Sequence, residues 1–331
     1  MQTPLSRRRF IRICAAAAGL PALSLASKSE AATDPVTWRG TMLGAIATME
    51  IHHPDRSEAR RLIGASLAEA RRLERLFSLY LKDSVLVELN RTGILVDPPA
   101  EMVDLLTISK RYAQLTGGMF DPTVQPLWSL YAAHFSKPNA DPNGPPRAEL
   151  DVALAHVDCK NLEISRDRIA MPRGFAVTLN GIAQGYVTDR VVDLLRAEGV
   201  AHSLVDMGEP RAIGARADGA PWEVGVADPE VVGRAAAVFP IVDRAVSTSG
   251  AYGFQFDPQG RFNHLFDPAT GGCANRYRSV TTVAFDATAA DAMSTAFSFM
   301  PPAEIRALMT DASIERVHLI DAQGAALDLV A

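Results

Sequence analysis

Two distant stretches of the chain carry residue types that could handle an anionic ligand. In the first, Thr178-Leu-Asn-Gly-Ile-Ala-Gln-Gly185, two glycines separate a short apolar run, Phe175 to Leu179, from a helical pattern over Tyr186 to Glu198. A glycine turn lets backbone approach a ligand closely, and the first amides of a helix are unpaired donors that attract phosphate. The same turn would also serve as a plain strand-to-helix connection. Its Gly-x-x-x-Gly spacing matches neither the dinucleotide fingerprint nor the phosphate-binding P-loop, so neither fold follows from it. In the second stretch, Ser279 to Phe285 alternates like a strand, and Thr288 to Met300 reads as a helix ended by Pro301-Pro302. Asp291 and Thr295 lie four apart and share one helix face. A carboxylate and a hydroxyl among small residues suit a hard cation that takes oxygen ligands. An acid in a first helical turn is also ordinary dipole chemistry.

Other candidates are more isolated. Tyr80 follows a helix end, where its ring could face a ring ligand or fill a core. Asp121 is a carboxylate inside the proline-rich loop Met119 to Leu127. His264 stands in a polar loop with Asp267 and Thr270 close behind. Such a histidine either holds its loop together or moves a proton.

These groups need a frame. Thr41 to His52 reads as a first strand. Asp55 to Phe77 reads as a long amphipathic helix, with Leu62, Ile63, Leu67, Ala70, Leu73 and Leu76 inward. Glu101 to Thr116 is a second amphipathic helix, closed by Gly117-Gly118. Ser136 to Pro146 has the composition of a surface insertion. Short strands cluster between helices without a repeating βαβ order. The pattern predicts an α+β fold with mixed or antiparallel sheets and flanking helices, not a doubly wound one.

The chain has 331 residues, 48% of them hydrophobic, enough for a sizeable core. Its formal charge of −5 argues against a nucleic-acid partner. Residues 1–31 read as a twin-arginine (Tat) export signal. Ser6-Arg-Arg-Arg-Phe-Ile-Arg12 precedes an apolar run, Ile13 to Ala26, and small residues end at Ala31. That run is too short and alanine-rich for a stable membrane span, so the cleaved protein is expected in the periplasm and not across the membrane. Cys159 and Cys273 remain after cleavage, and two cysteines make no disulfide scaffold.

Taken together the segments resemble the FAD:protein FMN transferases, the ApbE-type flavin transferases. The pieces run in consistent order from about Thr41 to Met300. They are Phe77-Ser-x-Tyr80 with Ser84 and Asn90, and Gly118-x-Phe-Asp-Pro-Thr-Val-x-Pro-Leu127. Next come Gly181-Ile-Ala-x-Gly-Tyr186 with Asp189, Leu204-Val-Asp-x-Gly208 and Ser247-Thr-Ser-Gly250. The last are His264-x-x-Asp-Pro-x-Thr-Gly271 and Ser279-Val-x-x-Val283 with Asp291 and Thr295. The resemblance implies one transferase domain over residues 32–331, made of two interleaved subdomains with FAD between them. It implies a Mg²⁺ ion held by the Gly181 carbonyl, Asp291 and Thr295. It implies that Met42, Tyr80, Met119, Phe120 and Asp121 cradle the flavin and adenine ends. The implied reaction moves FMN onto a threonine or serine hydroxyl of a partner flavoprotein and releases AMP. For that proton transfer His264 is the candidate base, with Asp267 orienting its loop.

The chain departs from the family pattern in places. Thr178 stands where an acid is usual, and Gln184 where a lysine is usual, so one charged contact to phosphate is lost. Met42-Leu-Gly-Ala45 replaces Met-Gly-Thr, and Glu209 follows Gly208 where a second glycine is common. The Asn180-Gly-Ile-Ala-Gln-Gly185 form, with the Tat signal, resembles the NosX-type branch that serves nitrous oxide reductase maturation. There the implied acceptor is a membrane flavoprotein with a periplasmic FMN domain. Two other activities fit the same parts: a flavin-donor protein with little turnover, or a pyrophosphatase that hydrolyses FAD to FMN and AMP.

Overall fold

Alternation decides the first element. In the computed structural model, which describes residues 34–228 and 234–331, the expected strand over Thr41 to His52 is two strands of a hairpin. These are β1 (Val36–Met42) and β2 (Ala45–His52), joined through Leu43 (φ 49°) and Gly44 (φ 80°). Positive φ at both turn residues matches the right-handed twist of paired strands. Leucine is not a turn former, so the reversal is poorly marked in the sequence. The export segment read over residues 1–31 lies outside the described residues.

The rest follows in chain order. Helix α1 (Arg56–Phe77) is capped by Asp55, whose carboxylate accepts the Ser57 and Glu58 N–H groups. Then come α2 (Val85–Thr92), β3 (Ile94–Val96), α3 (Ala100–Leu115), α4 (Gln125–Phe135) and α5 (Arg147–Leu154). After β4 (Glu163–Ile164) and β5 (Arg168–Ala170), α6 (Ala183–Ala197) leads to β6 (His202–Asp206) and β7 (Pro210–Ile213). The hairpin β8 (Trp222–Ala227) and β9 (Ala235–Ile241) precedes β10 (Ala245–Gly250) and β11 (Tyr277–Ala284). The chain ends with α7 (Ala287–Phe297), α8 (Pro302–Leu308), β12 (Ile314–Asp321) and β13 (Ala326–Val330).

Eight strands form the main sheet in the order β1-β2-β6-β7-β10-β11-β12-β13. Its pairings are antiparallel, and the α+β class holds. Because side chains alternate across a strand, the sheet has two apolar faces. One carries Ala245, Val280 and Ala284 into the main core, together with the inward residues of α1, α6 and α7. The other carries Ala212, Val246 and Val283, covered by Trp222, Val224, Phe239 and Ile241 of the β8–β9 hairpin. Leu62, Leu73 and Val191 are fully buried in the main core. Each such side chain contributes roughly 1.5–3 kcal/mol of burial. Among the described residues no helix is long and apolar enough to cross a membrane.

The sequence reading misplaces one strand. Phe175 to Leu179 is not in a sheet. The Asn90 side chain takes the place of a neighbouring strand: its Oδ1 accepts Val177 N–H at 2.7 Å and its Nδ2 donates to Val177 O at 2.8 Å. Thr178 N donates to Pro122 O at 2.8 Å. These bonds hold the segment extended and leave Thr178, Asn180, Gly181 and Gln184 lining open space, with Leu179 and Ile182 turned into the core. Cys159 and Cys273 are free thiols, the second donating to Asn263 O at 3.2 Å.

Candidate active site

A cleft opens between the Met119–Trp128 segment and the ends of α1, α6, β10 and α7. Its empty space, open mouth included, is about 1340 Å³. Asp121, Glu209 and Asp291 line it, and among the described residues no lysine or arginine does.

The start of α7 positions the polar end. Asp286 caps the helix by accepting Ala289 N–H at 2.7 Å. Asp189, from α6, accepts the Ala287 and Thr288 N–H groups at 2.9 and 2.8 Å and pairs with buried Arg211 at 2.5 Å. Gly185 permits this contact, since a Cβ there would lie 2.1 Å from Ala287 O. With α6 and α7 locked together, Asp291 and Thr295 project one turn apart into the cleft. Gly181 lies against Thr295: a Cβ built on it would sit 3.1 Å from Thr295 Oγ1. The structure thus brings together the three residues expected to hold a cation.

Asp291 is 4% exposed, and its Oδ2 accepts Gly185 N–H at 3.1 Å. Burial pushes its carboxyl above the usual range, with Asp189 adding to the rise and the Gly185 bond opposing it. Glu209, in the β6–β7 turn, is raised well above the usual range by burial first and then by the charge of Asp291. Hydroxyls surround the pair: Ser249 Oγ lies 2.7 Å from Ser294 Oγ and 3.4 Å from Thr295 Oγ1. Buried carboxylates and hydroxyls with no basic partner in the cleft are a donor set for a hard divalent cation. The residues present therefore fit Mg²⁺.

His264 comes from a separate unit. Its loop is pinned to α4 by an aromatic cluster of Trp128, Tyr131, Phe254, Phe256, Phe262 and Phe266. Tyr131 also donates to Gly271 O at 3.0 Å. His264 Nδ1 faces Phe254 O at 3.3 Å, which assigns the proton to Nδ1 and leaves Nε2 an acceptor. The ring keeps some solvent contact through the cleft, yet burial pulls its pKa down to about 4. It is neutral at pH 7. A depressed folded-state pKa means stability present above about pH 6.5 and lost as pH falls through about 4, on the order of 3 kcal/mol in full. His264→Gln should therefore flatten the acid side of the stability curve between those values. Urea unfolding across that range checks it, and an unchanged acid slope contradicts it.

Asp267 acts on the loop and not on the cleft. Its oxygens accept Ala269 N–H at 2.8 Å and Thr270 Oγ1–H at 2.9 Å, closing its own turn. It shapes the loop, as expected, but does not line the cleft or touch His264. Met42 also moves. As the last residue of β1 it points into the core, 3% exposed, and Leu43 lines the cleft instead. Finding that would have required locating the Leu43-Gly44 turn, which fixes the phase of alternation. Tyr80, Met119, Phe120, Asp121, Thr178 and Gln184 all line the cleft. Tyr80 is 43% exposed, and its hydroxyl accepts from Asn180 Nδ2 at 3.2 Å. Asp121 is committed to its own loop, accepting Thr123 N–H at 2.7 Å and Cys159 N–H at 2.9 Å. Trp128, Ser249 and Glu209 are lining residues that were not selected as site residues from the sequence. Ser249 stands in the Ser247–Gly250 motif and Glu209 is an acid where a glycine is common, whereas nothing in the sequence marked Trp128.

Comparison with known proteins identifies the family. The model of the ApbE family matches residues 43–318. A FAD:protein FMN transferase of Klebsiella pneumoniae (strain 342) is 28% identical over 330 residues, 93% of this chain and 92% of that protein. The ApbE protein of Thermotoga maritima superposes with a TM-score of 0.77 at 29% identity, covering 89% of this chain and 96% of that one. The flavin transferase ApbE of Vibrio cholerae gives 0.76 at 26% identity, covering 90% and 97%. With the family match spanning most of its length, the chain belongs to the ApbE family.

Proposed function

We propose that the protein transfers FMN from FAD to a threonine or serine hydroxyl of an acceptor flavoprotein and releases AMP. Proteins named for this activity match it along most of their length. The observation that carries the reading is one cleft lined by His264 and by Asp291 with Thr295. The acceptor oxygen attacks the phosphorus of the FMN half. The bond from that phosphorus to the bridging oxygen breaks, and AMP leaves with that oxygen. The hydroxyl proton passes to His264 Nε2, whose lone pair the Phe254 bond leaves available. The negative diphosphate favours the charged ring and so raises the basicity of His264 from its level in the empty cleft.

Asp291, Thr295 and the Gly181 carbonyl would hold Mg²⁺. When bound, the ion supplies neutralising charge at the diphosphate oxygens. The lack of lysine and arginine among the described residues of the cleft supports that need. The Tat-like segment supports action in the periplasm, and with the Asn180–Gly185 form it supports a nitrous oxide reductase maturation role on a membrane flavoprotein. The test is AMP release from FAD, measured with and without acceptor and with magnesium removed by chelation. Release that requires both acceptor and magnesium is expected. Equal release without acceptor contradicts transfer.

Tyr80, at the cleft mouth, is placed to stack on a ring of FAD. Tyr80→Ala should weaken FAD binding by about 1–3 kcal/mol, the scale of base–aromatic stacking. Fluorescence titration with FAD measures it, and unchanged affinity with an unchanged bound-flavin spectrum would sink the assignment.

A further inference from the structure

We infer that Glu209 is a second carboxylate ligand of the cation at Asp291 and Thr295, which rests on the cation reading given above. Glu209 is 4% exposed and lines the same cleft as Gly181, Gln184, Asp291 and Thr295. Its Oε2 is fully buried and has no hydrogen-bond partner. A buried carboxylate oxygen left unpaired is costly, and such groups are otherwise paired or coordinate metals.

Ser247 hydrogen-bonds the Glu209 carboxylate without neutralising it, and among the described residues no lysine or arginine lines the cleft beside it. The turn itself is held by its backbone: Thr188 Oγ1 donates to Glu209 O at 2.9 Å, and Gly208 N donates to Asp206 Oδ1 at 2.9 Å. Neither bond uses the Glu209 carboxylate. The adjacent basic side chain, Arg211, is held on Asp189. Gln184 lies against the turn, with its Cδ 2.6 Å from where a Gly208 Cβ would be, and it is neutral. A lysine at position 184 would bring an ammonium group to this turn. With glutamine there, the charge of Glu209 and that of Asp291 fall to a cation from solution. Two carboxylates beside the Thr295 and Ser249 hydroxyls form an oxygen set suited to a divalent ion. Among the described residues no lysine or arginine lines the cleft, so this ion would supply the positive charge that an anionic ligand meets there.

The test uses Mn²⁺ alone, without FAD, on the whole chain, with binding read by calorimetry and by the loss of free Mn²⁺ signal in electron paramagnetic resonance. Glu209→Gln should weaken Mn²⁺ binding about tenfold or more, on the scale of changes around metal sites. Its metal-free melting temperature should equal or exceed that of the wild type, since an unpaired buried charge is gone. The rise in melting temperature on adding Mn²⁺ should shrink accordingly. If Glu209→Gln does not fold, Glu209→Gly, beside Gly208, strips the same carboxylate. Asp291→Asn separates the two levels of the argument. Wild-type Mn²⁺ affinity in Glu209→Gln, with binding lost in Asp291→Asn, overturns the role of Glu209 and leaves the cation site standing. Wild-type affinity in both overturns both. A metal-free destabilisation of Glu209→Gln with normal Mn²⁺ affinity marks a structural role and also overturns the inference.

Discussion

Asp291→Ala is expected to abolish magnesium-dependent flavin transfer while the protein stays folded. Asp291 is a buried side chain at the cleft's polar end, in electrostatic contact with a second carboxylate and with no basic partner. Its charge is disfavoured in the empty protein, and burial raises its carboxyl for that reason. Removing it costs one hydrogen bond, from Gly185 N–H, on the order of 1 kcal/mol. The anchoring of α7 does not depend on it, because Asp189 and Asp286 hold the helix start. Transfer assays over a wide range of magnesium, beside thermal melts, give the answer. A folded variant with normal activity at ordinary magnesium would place the cation elsewhere.

His264→Ala has the next largest expected effect, a slowing of transfer by about 10²–10⁴-fold with FAD and magnesium binding retained. The loop should survive the change. Its anchors are the aromatic cluster on α4, the Tyr131 bond to Gly271 and the turn closed by Asp267, none of which uses the imidazole. A purely structural histidine would behave otherwise, losing FAD affinity or melting temperature with transfer recovered at high FAD. Single-turnover transfer at saturating FAD distinguishes the two. Normal rates in a well-folded His264→Ala would remove the residue from the mechanism.

The parts legible in the sequence are those whose meaning is local. Asp291 and Thr295 could be paired because four residues make one helical turn, and α7 keeps them on one face. The stripe of Leu62, Leu67 and Leu73 announced α1 for the same reason. What escaped depends on partners far along the chain. Phe175 to Leu179 looks like a strand, but its hydrogen bonds come from Asn90, 87 residues away from Val177. Asp189 shapes the site by capping α7 from 98 residues upstream of Ala287, and no spacing rule reveals that. Met42 was misplaced through a turn that carries no typical turn residue before its glycine. Asp267 could be read as orienting its loop because an acid three residues before a threonine closes a local turn, as its bonds to Ala269 and Thr270 do.

The central claim is that one cleft joins a proton acceptor to a cation site and passes FMN to another protein. The most direct measurement mixes the purified protein with FAD, magnesium and an acceptor flavoprotein domain, then weighs the acceptor and counts AMP. The account predicts an acceptor heavier by one FMN on a threonine or serine, with one AMP released for each. Free FMN and AMP with an unmodified acceptor, or bound FAD with no products, would contradict it.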